Sequence, residues 1–366
     1  MRTELCERFG IDYPIFAFTP SEHVAAAVSR AGGLGVLGCV RFNDAEELDR
    51  ILSWLDENTG GKPYGVDIVM PMKVPTEGSA VDLASYIPED HRAFVDKTLL
   101  ELGVPPLPEG EGRDGVLGWL HSVARSHLDV ALQHRPVLIA NALGSPPVDV
   151  IEKAHEHGIA VAALAGAAKH ALSHVTNGVD IIVAQGYEAG GHTGEVASMV
   201  LQPDIVDAVG PDVPVLGAGG IGSGRQIAAS LALGAQGVWT GSIWLGTEEY
   251  QQLNSHAGWV EAFTRATSSD TRRTRIYTGK PARLLRSKWT DAWEAEDAPA
   301  ALPMPLQNLL VADAHNRINA AGDPDVVSMP VGQIVGRMNE VRPVADVIAN
   351  LVSEYDEAVK RLESLR

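Results

Sequence analysis

The sequence predicts an α/β fold closed as a (β/α)8 TIM barrel, and three observations carry the prediction. Eight short apolar runs recur through the first 250 residues and alternate with helix-like stretches. Several runs, PVLIA (136–140) and DIIVA (180–184) among them, are apolar throughout, as suits a parallel strand covered on both faces. Three of the turns that follow these runs are unusual, two of them dense in glycine, and such turns line the C-terminal mouth of a barrel, where ligands bind.

In chain order, the candidate strands are Pro14–Phe18, Gly35–Leu37, Tyr64–Val69, Pro136–Ala140, Ala160–Ala163, Asp180–Ala184, Pro214–Gly217 and Gly237–Thr240. Helical patterns lie between them at Ser21–Ala31, Ala45–Glu57, Pro147–His157, Ala167–His174, Pro203–Val209 and Ser223–Leu233. Residues 71–135 are too long for one βα unit and contain the Pro/Gly-rich acidic stretch PPLPEGEGRDG, which reads as an elaboration beside the mouth. The expected organisation is a barrel over 1–250 with this insertion, then a helical C-terminal segment, 251–366, packing on the mouth and ending in the amphipathic Val344–Leu365.

Composition narrows the function. The 29 basic against 47 acidic side chains give a formal charge of −18, which argues against a nucleic-acid binder. No window approaches the roughly 18 uninterrupted apolar residues of a membrane-spanning helix. The N-terminus lacks a secretory h-region, so a cytoplasmic address is the default expectation. Two cysteines, Cys6 and Cys39, make neither a disulfide framework nor a metal cage. His155, Glu156 and His157 read better as a solvated helix end than as ligands, so no metal is expected.

The seventh turn, GAGGIGSG (217–224), carries five glycines in eight residues between a strand and a helix. Glycines permit close backbone approach, and a helix N-terminus offers free N–H groups to an anion. With Gly241 and Ser242 of the eighth turn they form the phosphate site common after strands 7 and 8; a tight turn without ligand is the plainer alternative. The sixth turn, AQGYEAGGHTG (184–194), ends its strand on Gln185 and projects His192 beyond Gly190 and Gly191. A histidine there suits proton transfer at a substrate carbon, against the plainer reading of a solvated imidazole. Seven cations crowd residues 272–288; Arg272, Arg273, Arg275, Lys280 and Arg283 are candidates to clamp substrate phosphates, and Asp291 and Glu294 are the acids that would otherwise pair with such a face.

These motifs make the chain similar to the nitronate monooxygenase family, once called 2-nitropropane dioxygenases, which itself resembles FMN-dependent enoyl reductases. The matching stretches are AGGLGVLG (31–38), PYGVD (63–67), AQGYEAGGHTG (184–194), GAGGIGSGR (217–225), TGSIWLGT (240–247), TGKPARLL (278–285) and VGQIVGRM (331–338). The resemblance implies FMN bound non-covalently at the mouth, near Ala17, Phe18, Thr19, Asp67, Gln185, Gly190 and Gly191. It places the flavin phosphate by Gly220, Gly241 and Ser242, with Gly219 and Thr240 also bordering the cofactor, and His192 on the family's catalytic base. The chain departs from the family at two positions. Thr19 and Pro20 stand where nitronate oxidisers usually carry an Ala-Pro-Met-like turn, and Asp67 stands for an asparagine.

The implied function is oxidation of a small carbon acid or nitronate, with His192 deprotonating a nitroalkane or receiving its nitronate. One alternative is a flavin-dependent dehydrogenase or reductase of an acyl-CoA or enoyl thioester, held by the basic cluster. Another is an FMN-binding barrel without turnover, and a homodimer is compatible with each. An IMP-dehydrogenase-like reading fails for want of a cysteine in the sixth turn.

Overall fold

The structure, a computed structural model, describes residues 1–70, 83–108, 121–253 and 257–366. Its strands are β1 (Ile15–Thr19), β2 (Leu34–Gly38), β3 (Tyr64–Asp67), β4 (Leu138–Asn141), β5 (Ala160–Ala165), β6 (Ile181–Gln185), β7 (Gly191–His192), β8 (Val215–Ala218), β9 (Gly237–Thr240), β10 (Thr271–Thr274) and β11 (Ala282–Leu285). Eight of them, β1 to β6 with β8 and β9, form a closed parallel barrel. Closure is the pairing of Ile15, Phe16 and Ala17 with Val238, Trp239 and Thr240. All eight expected strands are present, each within two residues of its predicted limits.

The barrel is filled and covered by strict alternation of side chains. Phe16, Val36, Leu138, Ala162, Val183 and Leu216 meet inside. Ile15 and Ala17 turn outward onto Val24 and Val28 of the helix Glu22–Arg30. Each fully buried Leu, Ile or Phe contributes about 1.5–3 kcal/mol through lost apolar surface. Helices begin where short polar side chains can take up free N–H groups. Ser21 accepts from Val24 N, and Asp44 accepts from Glu47 N at 2.7 Å.

Two excursions interrupt the βα repeat. One follows β3 and returns to the ring at the helix His121–Ala131; within it the Pro/Gly-rich stretch from residue 109 onward lies outside the described residues. The other runs from the end of β9 to residue 343. They share a second core, in which Val95 and Leu99 of the helix Glu89–Glu101 meet Val311, Ala314 and Ile318 of the helix Leu306–Ala321. Phe94 packs edge-on to Trp293 at 4.8 Å, and Trp293 to Trp289 at 5.9 Å.

The region after residue 250 differs from the helical segment expected there. It contains β10 and β11, which join β7 of the sixth loop in a three-stranded antiparallel sheet. Its last helix, Val344–Glu363, does not sit on the mouth. It buries Val344, Val347, Ile348 and Leu351 in the outer ring, between the helices Glu22–Arg30 and Gly224–Ala232. It therefore completes the barrel as its eighth helix, with the long excursion inserted between the eighth strand and its helix. Gly224 makes the packing possible, because a Cβ there would lie 2.1 Å from Tyr355 N.

Candidate active site

Strand alternation decides which predicted residues look into the mouth. Phe18 and Trp239 face the interior and stack with their rings 6.3 Å apart. Ala17 turns to the helical layer, so only its backbone borders the mouth. The Thr19 hydroxyl accepts from Ser21 N at 3.1 Å and serves the turn into the first helix. Thr240 is likewise committed to structure: its hydroxyl donates to Phe16 O and accepts from Trp244 Nε1.

Asp67 ends β3, in register with Gly38 and Ala140. Its neighbour Val66 packs outward, which points Asp67 inward. The carboxyl is 1% exposed, and neither oxygen has a hydrogen-bond partner. Burial pushes its pKa up to about 7, against a smaller opposing pull from the Ala142 amide. At the end of β2 the buried Cys39 thiol is pushed well up by burial and by Asp67, while Arg41, paired with Glu22 at 2.6 Å, pulls it down. Orphaned buried polar groups are rare in native proteins, so Asp67 is a position where a bound ligand could supply the missing partner.

The seventh and eighth loops offer a cradle for an anion. Gly219 and Gly220 adopt φ of 92° and 69°, which side chains disfavour. Among the described residues no protein acceptor takes the N–H of Gly219, Gly220, Gly241 or Ser242. The Ser242 hydroxyl accepts from Gly332 N at 2.9 Å and keeps its own proton to give. The other loop-7 glycines serve packing. Gly222 N donates to Gln226, Gly224 N donates to Glu354 at 2.8 Å, and a Cβ on Gly222 would strike Ile334. This donor set fits the phosphate end of a flavin nucleotide, and the layer of Phe18, Trp239 and Asp67 suits its ring end.

In the sixth loop, Gln185 ends β6 and is half-buried. Gly190 is required by a chain crossing rather than by a ring: a Cβ there would lie 2.7 Å from Gly332 N. Gly191 and His192 form β7, opposite Arg283 and Ala282. His192 is half-buried, with Nε2 2.7 Å from the Thr278 hydroxyl. Burial, then the nearby Lys280 ammonium, lower the imidazole pKa to about 4. Thr278 was not singled out from sequence, although it stands in the matching stretch TGKPARLL; only the pairing of β11 with β7 reveals its role.

The five candidate cations do not act as one cluster. Arg283 is buried, donates to Tyr187 O and Thr271 Oγ1, and lies 4.5 Å from the Tyr187 ring centre. Arg273 donates to Thr193 O and pairs with Glu195 at 3.6 Å. Arg272 meets Glu294 at 3.7 Å. Arg275 and Lys280 are exposed, and neither faces an acid among the described residues. A cavity of about 430 Å³ lies at the opposite end of the barrel, lined by Arg8, Asp180 and Asp212, away from all of these groups. Among the described residues no group of three or more potential ligands could hold a metal, and no helix is long and apolar enough to cross a membrane.

A closed barrel carrying this mouth belongs to the flavin-dependent oxidoreductases, which act on small molecules. The chain matches the nitronate monooxygenase family over residues 2–354 and belongs to it. A Mycobacterium tuberculosis protein, Rv1533, provisionally described as a monooxygenase, is 50% identical over 378 residues, covering 100% of this chain and 99% of that one. Among solved structures, a nitroalkane oxidase from Streptomyces ansochromogenes superposes with a TM-score of 0.80 at 26% identity, covering 98% of this chain and 99% of that one. FabK from Thermotoga maritima superposes with a TM-score of 0.75 at 25% identity, covering 100% of both chains.

Proposed function

We propose that the protein binds FMN and oxidises a small carbon acid in its nitro or nitronate form, with His192 as the residue that meets the substrate. The observation that carries this reading is the placement of a half-buried imidazole of depressed basicity on a strand over the mouth. Family membership and the likeness to a nitroalkane oxidase support the same substrate class. FMN, when bound, supplies the electron-accepting chemistry. Gly219, Gly220, Gly241 and Ser242 would hold its phosphate through N–H and hydroxyl donors. Phe18, Asp67 and Gln185 would border its ring. The chain's own task at the reacting end is to orient the substrate, exclude water and manage a proton at His192.

The test is a visible spectrum of the purified protein together with oxygen uptake on a small alkyl nitronate. A flavin spectrum and nitronate-dependent uptake are expected, with kcat/KM falling about 100-fold or more in His192→Asn while the spectrum stays. Protein that takes up no FMN would overturn the reading.

Arg275 and Lys280 favour one second reading, a flavin-dependent reaction of an acyl thioester. Both cations are exposed on the segment that carries Thr278, and both lack an acid partner among the described residues. Uptake of FMN with turnover of an enoyl thioester, and none of a nitronate, would select it.

A further inference from the structure

We propose that Asp67 meets the flavin ring as a neutral carboxylic acid, giving its proton to a ring carbonyl and accepting the neighbouring ring N–H, so that FMN bound above neutral pH is bound together with one proton. The inference rests on the reading that FMN occupies the mouth. Asp67 is 1% exposed, and neither of its carboxyl oxygens has a hydrogen-bond partner among the described residues. One buried polar group left unmatched costs about 1–3 kcal/mol, and a charged one more. Two such atoms on one side chain therefore point to a ligand that completes both. Register sets the carboxyl at the C-terminal end of β3, between Gly38 and Ala140, neither of which brings it a polar side chain. A Cβ on Gly38 would lie 3.0 Å from the Phe18 ring, so an aromatic edge stands on that flank.

The surroundings decide which form of the carboxyl is there to bind. On the β2 side the Cys39 thiol, itself pushed well up by burial, brings no charge. Arg41 beyond it is paired with Glu22 at 2.6 Å, and His23 stands 4.0 Å from the same carboxylate. On the β4 side Asn141 is spent on Met70 and Leu143. Phe18 and Trp239, the aromatic pair inside the mouth, are apolar. Burial is thus not offset by a cation, and it holds the proton on up to about pH 7 against the weaker pull of the Ala142 amide. A carboxylate offers acceptors alone, whereas a carboxylic acid sets one donor beside one acceptor. The pyrimidine end of a flavin presents a C=O beside an N–H. The acid matches that edge with two hydrogen bonds and leaves neither oxygen unmatched. The carboxylate takes only the N–H and turns its second oxygen against the carbonyl lone pairs. FMN therefore selects the protonated form, and its affinity is greatest below pH 7 and falls as pH rises.

The test follows release of FMN from the full-length holoprotein by equilibrium dialysis at pH 7.5 and 8.5, above the range in which a phosphate monoester titrates. It compares the wild type with Asp67→Asn and Asp67→Leu. The wild-type Kd should rise about 10-fold over this interval, the change that uptake of one proton produces per pH unit. Asp67→Asn, whose amide also sets a donor beside an acceptor, should bind FMN without that dependence. Asp67→Leu should bind about 10-fold or more weakly than Asp67→Asn at both values. The infrared spectrum of the wild-type holoprotein at pH 8 should contain the C=O band of a neutral carboxyl group that Asp67→Asn lacks. A wild-type Kd that stays flat, a slope that survives in Asp67→Asn, or a holoprotein without the band would each sink the proposal while leaving FMN in the mouth. Should none of the three proteins hold FMN at either pH, the cofactor reading itself fails and takes the proposal with it.

Discussion

Asp67 shows how one side chain can tie the fold to pH. In an unfolded chain its carboxyl titrates near 3.8; in the fold burial raises that to about 7. The fold favours the protonated form, so the contribution of Asp67 is fully present below about pH 3.8 and is lost as pH rises through 7. Thermal melts of the wild type and Asp67→Asn across this range isolate it. The wild type should lose stability relative to the variant between pH 4 and 8, by up to about 4 kcal/mol, and then level off; a difference that stays flat would show that the carboxyl finds a partner. At Gly190 a methyl would collide with the backbone of Val331 and Gly332. Gly190→Ala should therefore cost on the order of 1–3 kcal/mol by overpacking and loosen the sixth loop, read as a lower Tm and faster proteolysis near residue 190. That the sixth loop needs its glycines was legible in the sequence. That Gly190 answers to another stretch of chain was not, because the contact joins residues more than 140 positions apart.

At the scale of elements, two of the helices that start at the mouth, those after β6 and β8, are capped from a distance. The pattern places a helix start at Pro203, yet the helix begins at Ser198. The Ser198 N–H and hydroxyl are taken by the Glu188 carboxylate, at 3.0 Å to Oε2. Gly224 N is taken by Glu354 of the last helix. A cap supplied from another element leaves no local trace in sequence, whereas Ser21 and Asp44, one residue before their helices, could be read directly. Glu188→Gln keeps an acceptor and should cost little. Glu188→Ala should cost roughly 0.5–2 kcal/mol, measured by denaturant unfolding, and should disturb the sixth loop more than the barrel. The strands were legible for the opposite reason: in a closed barrel each is buried on both faces, and a continuous apolar run states this without reference to its neighbours. The short β7, β10 and β11 lack such runs. β10 is Thr-Arg-Arg-Thr, a strand only because β11 lies beside it.

At the scale of the molecule, both excursions leave the C-terminal ends of strands, after β3 and after β9, and they meet in one second core. This explains why the region after residue 250 resists division into a separate unit: its excursion covers the mouth, and its final helix belongs to the barrel wall. Removing residues 344–366 should therefore abolish cooperative folding, although none of them lies in the proposed site. Removing only 364–366, which lie beyond the helix, should leave the Tm within about 2 °C of the wild type. Circular dichroism melts of the two truncations decide between this arrangement and a dispensable tail.

The position of that helix also bears on how the chain is made. β1 has two neighbours, β2 and β9, and the second of these is more than 200 residues away. Among the described residues, the gap between the helices Glu22–Arg30 and Gly224–Ala232 is filled by Val344–Glu363. At about 5–20 residues per second of synthesis, the first strand waits with an open edge for ten seconds or more, and the groove beside it stays uncovered until residue 363 has left the ribosome. A nascent chain of this protein is thus an almost complete barrel with one apolar slot unfilled, a form that holdase chaperones are suited to shelter until the last helix arrives.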